Sequence, residues 1–572
     1  MLTEPFHHAD AAPSLGDLVP VVVEVPDAFG ARRVEVRSTP DGEPRYAEAT
    51  VDRRRGGSTW WRAEVEARNP VTRYRFKLDT AAGPRWLTAL GVFAHDVPDV
   101  FDFRMVCYEA PPAWSADAVV YQIFPDRFAS SSRKATPSWA VPCEWDTPVI
   151  GRGPGASRQF YGGDLDGITA HLDHIAALGA DTVYLTPIFP APSNHRYDAS
   201  SFDGVDPLLG GDPALVRLSD AVHARGMRLL GDLTTNHCGS THPWFTAALA
   251  GGPERELFYF DGEGYESWLG VPSLPKLNWG SPELRRRIVE NAQRWLEPPY
   301  NLDGWRVDVA NMTGRRGVDA YTHEVARLLR RAISDKRQDG LLVAEHAHDA
   351  TDDLDRDGWH GTMNYAGFMR PVLGWLRGGV DGRSASSRGG HGGAEMVATM
   401  RAFAALQSWR SLTHSWTMLG SHDTERLHSM VDQSLVELAV GLLMTLPGVP
   451  MIFAGDEVGL LGVNGEDARR PMPWPLRDHP SLPVYRSLIA LRRQHEALRR
   501  GSLRWVYVED NAVAFLRSTV DSKLDSTVDE TLLVLARRRP GEPIQLDLPL
   551  SSAESLYDGP TLQIFRLHPL DA

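Results

Sequence analysis

The chain has 572 residues, a net charge of −14, and 42% hydrophobic and 23% charged residues. Its length exceeds one hydrophobic core and predicts about two to four domains, and its acidic balance excludes a polyanionic partner such as nucleic acid. Three cysteines (Cys107, Cys143 and Cys238) without CxxC spacing suit a reducing compartment, and 17 tryptophans admit a ligand with flat apolar faces.

The first residues lack a basic segment followed by an apolar one, so no secretory signal is expected and a cytoplasmic location is. Leu18–Val25, Arg32–Arg37, Thr59–Ala67 and Thr72–Leu78 are short, β-branched or aromatic runs separated by Asp, Gly, Pro and Asn. They predict a β-sandwich over 1–112, with Glu109–Trp114 as a linker. The pattern then changes. Ala118–Phe124 and Asp181–Phe189 read as buried strands with helical segments between them. Asp212 and Pro213 have the chemistry of a helix start and Gly226 that of its end, and Met227–Leu233 is the next strand. Leu302–Ala310, Gly340–Ala347, Trp416–Asp423 and Val449–Val458 repeat the theme. Alternating strand and helix over 113–500 predicts a (β/α)8 barrel or a doubly wound sheet.

Leu438–Gly455 is an uncharged run long enough to be mistaken for a membrane span. Pro447, Gly448 and Pro450 divide it into a buried helix and a buried strand, so no membrane association is expected. The composition of Arg377–Gly393 predicts a flexible loop. Beyond residue 500, Arg504–Arg517 with a turn at Asp510-Asn511, followed by Thr531–Arg538, predicts a C-terminal β domain over 501–572.

The strand "GWRVDVA" carries Arg306 and Asp308, two residues apart and therefore on one side. Burying that pair is expensive unless it is used. Other predicted strands end in polar clusters as well: Asp232, Asn236 and His237; Glu345 and His346; His422 and Asp423. In a barrel these ends converge on the C-terminal rim, where active sites are built. Cleaving a glycosidic bond needs one carboxylic acid to protonate the leaving oxygen and a second carboxylate to attack or to activate water. Arg306 would hold Asp308 ionised, and negative neighbours would keep Glu345 protonated. For the strand alone, a structural Arg–Asp pair is the competing explanation.

The segments "DLTTNH", "GWRVDVANM", "AEH" and "GSHDT", in that order, resemble the four signature segments of the α-amylase family, glycoside hydrolase family 13. "VVYQIFPDRF", "FYGGDLDGI", "SNHRYD", "LPKLNW" and "MNYAGF" are similar to the branch holding neopullulanase, cyclomaltodextrinase, maltogenic amylase and maltodextrin glucosidase. The resemblance implies a (β/α)8 TIM barrel with an inserted B domain over about 238–299, flanked by N- and C-terminal β-sandwiches. It implies Asp308 as nucleophile, Glu345 as general acid/base and Asp423 as the third carboxylate. Arg306 would orient the nucleophile. Tyr197, His237, His346 and His422 would contact the sugar, and Asp232 and Asn236 would support them. The implied reaction is retaining hydrolysis of α-1,4 bonds in short linear or cyclic maltooligosaccharides. A transferase or isomerase of the same family shares its first half-reaction. A non-enzymatic partner subunit would have lost the carboxylates. Homodimers through the N-terminal domain occur among such relatives.

Some positions depart from the branch. Met312 stands where a Glu commonly follows "DVAN", Gly420 where an Asp precedes "SHDT", and His346 where the branch has an apolar residue. Several relatives bind calcium just after "PDRF"; here "ASSSRKA" offers no carboxylate or amide, so no cofactor or metal is expected even though Asp164 matches a ligand. "DLDRDG" (Asp353–Gly358) fits half a calcium loop but has Asn364 at the twelfth position, and "HAHD" lacks a third zinc ligand. Trp244, Trp279, Trp359 and Trp416 fall near rim loops and either stack on sugars or pack the core; Trp60 and Trp61 bind glucan or fill the sandwich.

Overall fold

The protein is described here as a computed structural model covering residues 4–7, 13–132, 134–262, 264–378, 391–476, 478–519, 530–539, 543–546, 548 and 550–569. Eight parallel strands form its centre: β1 (Val120–Ile123), β2 (Thr182–Leu185), β3 (Arg228–Thr234), β4 (Gly304–Asp308), β5 (Leu341–Ala344), β6 (Gly361–Thr362), β7 (Trp416–Met418) and β8 (Val449–Phe453). Each pairs with the next in sequence and β8 pairs with β1. Between β6 and β7 the ring is joined by a single parallel bridge, Met363 to Trp416, where the Asn364 N–H donates to the Trp416 carbonyl at 2.8 Å. This is the (β/α)8 barrel. Every barrel strand but β6 coincides with a run that the sequence marks as apolar.

Alternation along the strands sorts the side chains. Val120, Tyr184, Leu230, Val343, Met418 and Met451 fill the barrel, while Tyr121, Val183, Leu229, Trp305, Leu342 and Ile452 join the larger core under the helices. The helix Pro282–Arg294 shows the local logic. Ser281 caps it through Oγ and the Leu284 N–H, proline opens it, and Leu284, Ile288 and Ala292 form its buried stripe. The Ala292 carbonyl accepts the Trp305 indole N–H at 3.0 Å, so this helix belongs to the barrel's outer ring. The inserted segment after β3 is therefore shorter than 238–299. It holds the helix Pro243–Leu249 and the small hairpin of Phe260–Asp261 and Gly264–Tyr265 and ends before Pro282.

Asp212 does not cap its helix. That helix starts at Gly211, and Asp212 instead accepts the Val205 N–H at 2.8 Å and the Tyr300 hydroxyl at 2.6 Å. The uncharged run 438–455 divides into the helix Val436–Thr445 and β8. Among the described residues no helix is long and apolar enough to cross a membrane.

At the N-terminus two antiparallel sheets pack face to face around Val21, Val23, Val34, Phe76 and Leu78. Trp61 packs on that core, whereas Trp60 lies under the Arg53 guanidinium, 4.3 Å from it. At the C-terminus five antiparallel strands take the order Ser502–Val508, Ala512–Ser518, Thr531–Arg537, Leu562–Pro569, Leu550–Asp558. Val513, Phe515, Val534 and Ile564 join the barrel's core, and Ala514, Leu516, Leu533 and Leu535 meet Ile544, Leu546 and Leu548 on the other face. Most of the predicted loop Arg377–Gly393, residues 379–390, lies outside the described residues.

Candidate active site

Backbone register assembles the site. At the base of β4, a Cβ on Gly304 would fall 2.1 Å from the Leu341 carbonyl oxygen, so only glycine lets β4 and β5 close at that point. The register that follows sets Asp232 beside Arg306 on one side, and Val307 beside Ala344 on the other. Glu345 is the next residue along.

Arg306 is fully buried at the centre. Its Nη1 donates to both oxygens of Asp232 at 2.9 Å and to Asp308 Oδ1 at 3.0 Å, and its Nη2 lies 2.8 Å from Glu345 Oε2. Asp308 and Glu345 thus hang on neighbouring nitrogens of one rigid, planar cation. Val309, immediately after Asp308, has φ = +46°, a left-handed conformation that is costly for a β-branched residue. The bend aims its N–H at Glu345 Oε2, 2.8 Å away. With Oε2 held twice, Glu345 Oε1 is the oxygen left to handle a proton.

Tyr197 and His422 form the opposite wall, their rings stacked at 5.5 Å and 10°. Gln122 donates to His422 Nδ1 at 2.9 Å, which places the imidazole proton on Nε2. That Nε2 sits 2.7 Å from the Tyr197 hydroxyl and 3.0 Å from Asp423 Oδ2, while the Tyr197 hydroxyl donates to Asp232 Oδ2 at 2.9 Å. Asp423 Oδ1 accepts from Arg469 Nη2 at 3.0 Å. Burial pushes the Asp423 carboxyl up, but His422 and Arg469 outweigh it and hold this group well below the usual carboxylate range. Asp308 goes the other way: burial and the charges of Glu345, Asp232 and Asp423 push it well up against the pull of Arg306. Arg306 is thus the group that favours the ionised form of Asp308 against burial and three neighbouring carboxylates.

His237 completes the pocket. Lys276 donates to Asn236 Oδ1 at 2.6 Å and to the Met312 carbonyl at 3.1 Å, Asn236 donates to His237 Nδ1 at 3.2 Å, and His237 Nε2 lies 3.8 Å from Asp308 Oδ2. Burial, Lys276 and His195 depress His237 to about 3, and burial lowers Lys276 to about 8. A group whose folded value lies that low stays neutral throughout the working range. In 15N-edited spectra His237 is expected to show no protonation between pH 8 and pH 5. A titration midpoint near 6 would contradict the arrangement.

Nine of the expected site residues are thus brought together; His346 is not. It is buried with Nε2 2.9 Å from Asp353, which also takes Arg315 at 2.8 Å, so it braces the loop after β5 instead of facing a sugar. Burial raises Asp353, but His346 and Arg315 prevail and depress it to about 2. The other carboxylates of "DLDRDG" are engaged as well. Asp355 accepts from the Ser408 N–H at 2.8 Å, and Asp357 from Arg327 at 2.6 Å.

Asp164 fits no calcium. Its Oδ1 caps the helix Leu165–Ala170 through the Gly167 N–H, and its Oδ2 receives the Ser131 N–H, the Ser131 hydroxyl and the Lys134 ammonium. The cation at this carboxylate is a tethered side chain. Exhaustive dialysis against a chelator is therefore expected to leave turnover and melting temperature unchanged, and a loss restored by added calcium would overturn this assignment. No cluster of three metal-ligating side chains occurs among the described residues.

The four tryptophans expected near the rim pack against protein. Trp279, Trp359 and Trp416 are buried, Trp279 donating to the Thr235 carbonyl at 2.8 Å, and Trp244 packs against Phe202 with Arg287 over its ring. Lys276, Gln122, Val309 and Arg469 escaped the sequence reading. Lys276 and Gln122 lay inside matched segments, but Arg469 belongs to the loop after β8 and carried no signal. A glycine seats that loop: a Cβ on Gly465 would meet the Asp423 backbone at 2.8 Å.

Paired carboxylates at adjacent strand ends of a (β/α)8 barrel, faced by a third carboxylate and an aromatic wall, define a glycoside hydrolase. Residues 122–479 match the α-amylase catalytic domain, and the chain belongs to the α-amylase family. It is 31% identical over 533 residues to the cyclomaltodextrinase of Geobacillus thermopakistaniensis (strain MAS1), covering 88% of this chain and 84% of that protein. It is 32% identical over 431 residues to the intracellular maltogenic amylase of Bacillus subtilis (strain 168), covering 72% and 68%. Among solved structures, the cyclic α-maltosyl-(1→6)-maltose hydrolase from Arthrobacter globiformis, in complex with that sugar, shares 33% identity over 76% of this chain and 93% of its own at a TM-score of 0.66. A cyclomaltodextrinase structure at 26% identity covers 99% of this chain and 98% of its own at a TM-score of 0.74, so the flanking β domains match as well.

Proposed function

We propose that this protein hydrolyses α-1,4-glucosidic bonds of short linear and cyclic maltooligosaccharides with retention of configuration. The observation that supports the reading is the shared guanidinium, whose two terminal nitrogens lie 3.0 Å from Asp308 Oδ1 and 2.8 Å from Glu345 Oε2. Retaining glycosidases hold this pair about 5–5.5 Å apart. Glu345 protonates the glycosidic oxygen as Asp308, whose ionised form Arg306 favours, attacks the anomeric carbon to give a covalent glycosyl-enzyme. Glu345 then takes a proton from water, which displaces Asp308 from the opposite side. Asp423, His422 and His237 hold the ring hydroxyls, and the Tyr197 ring lies under the sugar. These contacts resist motion in the ground state and strengthen as positive charge develops on the ring.

A second reading, a hydrolase for cyclic tetrasaccharides with mixed α-1,4 and α-1,6 links, is favoured by the 33% identity over 93% of a structure that carries such a ring. Product profiling separates the two. The enzyme is incubated with maltotriose, γ-cyclodextrin, the mixed-link cyclic tetrasaccharide, pullulan and starch. Faster release from maltotriose and γ-cyclodextrin than from the polymers supports the first reading, and preference for the mixed-link ring selects the second. Longer or rearranged sugars dominating at high maltose would assign the chain to the transferases, and inactivity on the whole panel would remove both readings. A cytoplasmic location and a homodimer through the N-terminal domain complete the proposal; the likeness to the intracellular maltogenic amylase of Bacillus subtilis supports the first.

A further inference from the structure

Asp308 and Glu345 are not anchored alike. Asp308 is the last residue of β4 and is carried by the barrel's ladder, whereas Glu345 lies one residue past the end of β5. The Glu345 N–H donates to the Val307 carbonyl at 2.9 Å, and the chain then leaves the sheet. An acid must meet the leaving oxygen within hydrogen-bond reach, and a misplacement of about 1 Å can cost about 10²-fold in rate. The placement of Glu345 therefore depends on what holds the chain just behind it.

That chain is held by one buried carboxylate, Asp353, which is 4% exposed. His346, the neighbour of Glu345, sets its Nε2 2.9 Å from Asp353 Oδ2. Arg315 Nη2 donates to both Asp353 oxygens, at 2.8 and 2.9 Å, and His323 Nδ1 of the helix Thr322–Lys336 lies 3.5 Å from Oδ1. Arg315 Nη1 at the same time donates to the Asn311 carbonyl at 2.6 Å. Asn311 belongs to the turn that follows Asp308, which the Met312 and Thr313 N–H groups close on the Val309 carbonyl at 2.9 and 3.1 Å. Contacts thus run from the nucleophile's turn, through Arg315 and Asp353, to the residue beside the acid. Arg306 ties the two catalytic carboxylates in front, and Asp353 ties their loops behind. A carboxylate is expensive to bury unless it is used. His346 is also a position where the chain departs from the branch it resembles, and an apolar side chain there could not engage Asp353.

We infer that Asp353 is a positioning residue: through His346 and Arg315 it fixes the start of the loop after β5 against the turn after Asp308, and so sets the reach of Glu345. The inference rests on the hydrolase reading above. Asp353→Ala is expected to lower kcat on maltotriose by about 10- to 100-fold, with KM changed by less than about threefold. First-turnover fluoride release from a maltosyl fluoride, whose leaving group needs no proton, should fall by less than about threefold, because Asp308 stays on its strand. A merely structural role would lower both reactions alike. His346→Leu should give the same split, and it serves as the test if Asp353→Ala does not fold. The double variant should cost no more than the worse single one, since both break one clamp. Asp353→Asn, which keeps the shape and an acceptor oxygen, should recover part of the loss. Asp357→Ala, in the same segment but paired with Arg327 outside the clamp, should leave turnover unchanged. Equal losses on the two substrates, a change confined to KM, unaltered turnover in Asp353→Ala, or single losses that multiply in the double variant would each overturn the inference. Failure of the hydrolase reading shows separately, as inactivity of the unsubstituted enzyme on the substrate panel.

Discussion

Asp308→Asn is expected to lower kcat on maltotriose by about 10⁴- to 10⁶-fold, the scale on which loss of a covalent nucleophile acts. The amide is isosteric and its oxygen still accepts from Arg306 Nη1, so the fold has no reason to change. It removes the charge that bonds to the anomeric carbon. The variant should melt at the temperature of the unsubstituted enzyme, which separates lost chemistry from lost structure. Glu345→Gln differs in a diagnostic way. On maltotriose it should cost about 10²- to 10⁴-fold, because the leaving oxygen departs unprotonated. On a maltosyl fluoride, whose leaving group needs no proton, the first step should be largely spared and the glycosyl-enzyme should accumulate. Retention of more than about 1% of turnover by Asp308→Asn would remove that residue from the mechanism.

Arg306→Lys is expected to damage fold and chemistry together. Arg306 is fully buried and serves Asp232, Asp308 and Glu345 through one flat fork, a geometry that a lysine ammonium cannot reproduce. Breaking a buried ionic cluster from one side costs about 3–5 kcal/mol. Spread over a barrel of this size, that lowers the melting temperature by about 5 °C. The sign of the pH effect follows from the charges. Arg306 opposes the burial that pushes Asp308 up, so a weaker cation leaves Asp308 protonated to higher pH. The acid limb of the kcat/KM profile should therefore move to higher pH, with activity partly recovered there. A variant with unchanged melting temperature and an unshifted acid limb would show that the guanidinium does not organise the pair.

Much of this site was legible because barrel strands are apolar runs and their ends are not. Arg306, Asp308, Glu345 and Asp423 stood out as charges at the ends of segments with no other reason to carry them. What failed, failed for local reasons. β6 is two residues long, too short for any periodicity. His346 adjoins Glu345 in sequence, but neighbours on a strand exit point to opposite sides, so the acid faces the pocket and the histidine faces Asp353. Asp212 has the chemistry of a cap, yet a tertiary partner, Tyr300, claims it. Lys134 and Arg469 act as cations across the fold, on Asp164 and Asp423, and such pairings leave no spacing in the chain to read. The left-handed turn at Val309 is equally silent, since nothing in "DVAN" requests it.

Everything depends on Asp308 bonding to the sugar before water does. Proton NMR of the reducing end released in the first moments of maltotriose cleavage, before mutarotation, reads this directly. Two successive inversions at one carbon give the α anomer first, and that is the expected spectrum; a β anomer appearing first would mean that water attacked in a single step and that Asp308 is no nucleophile.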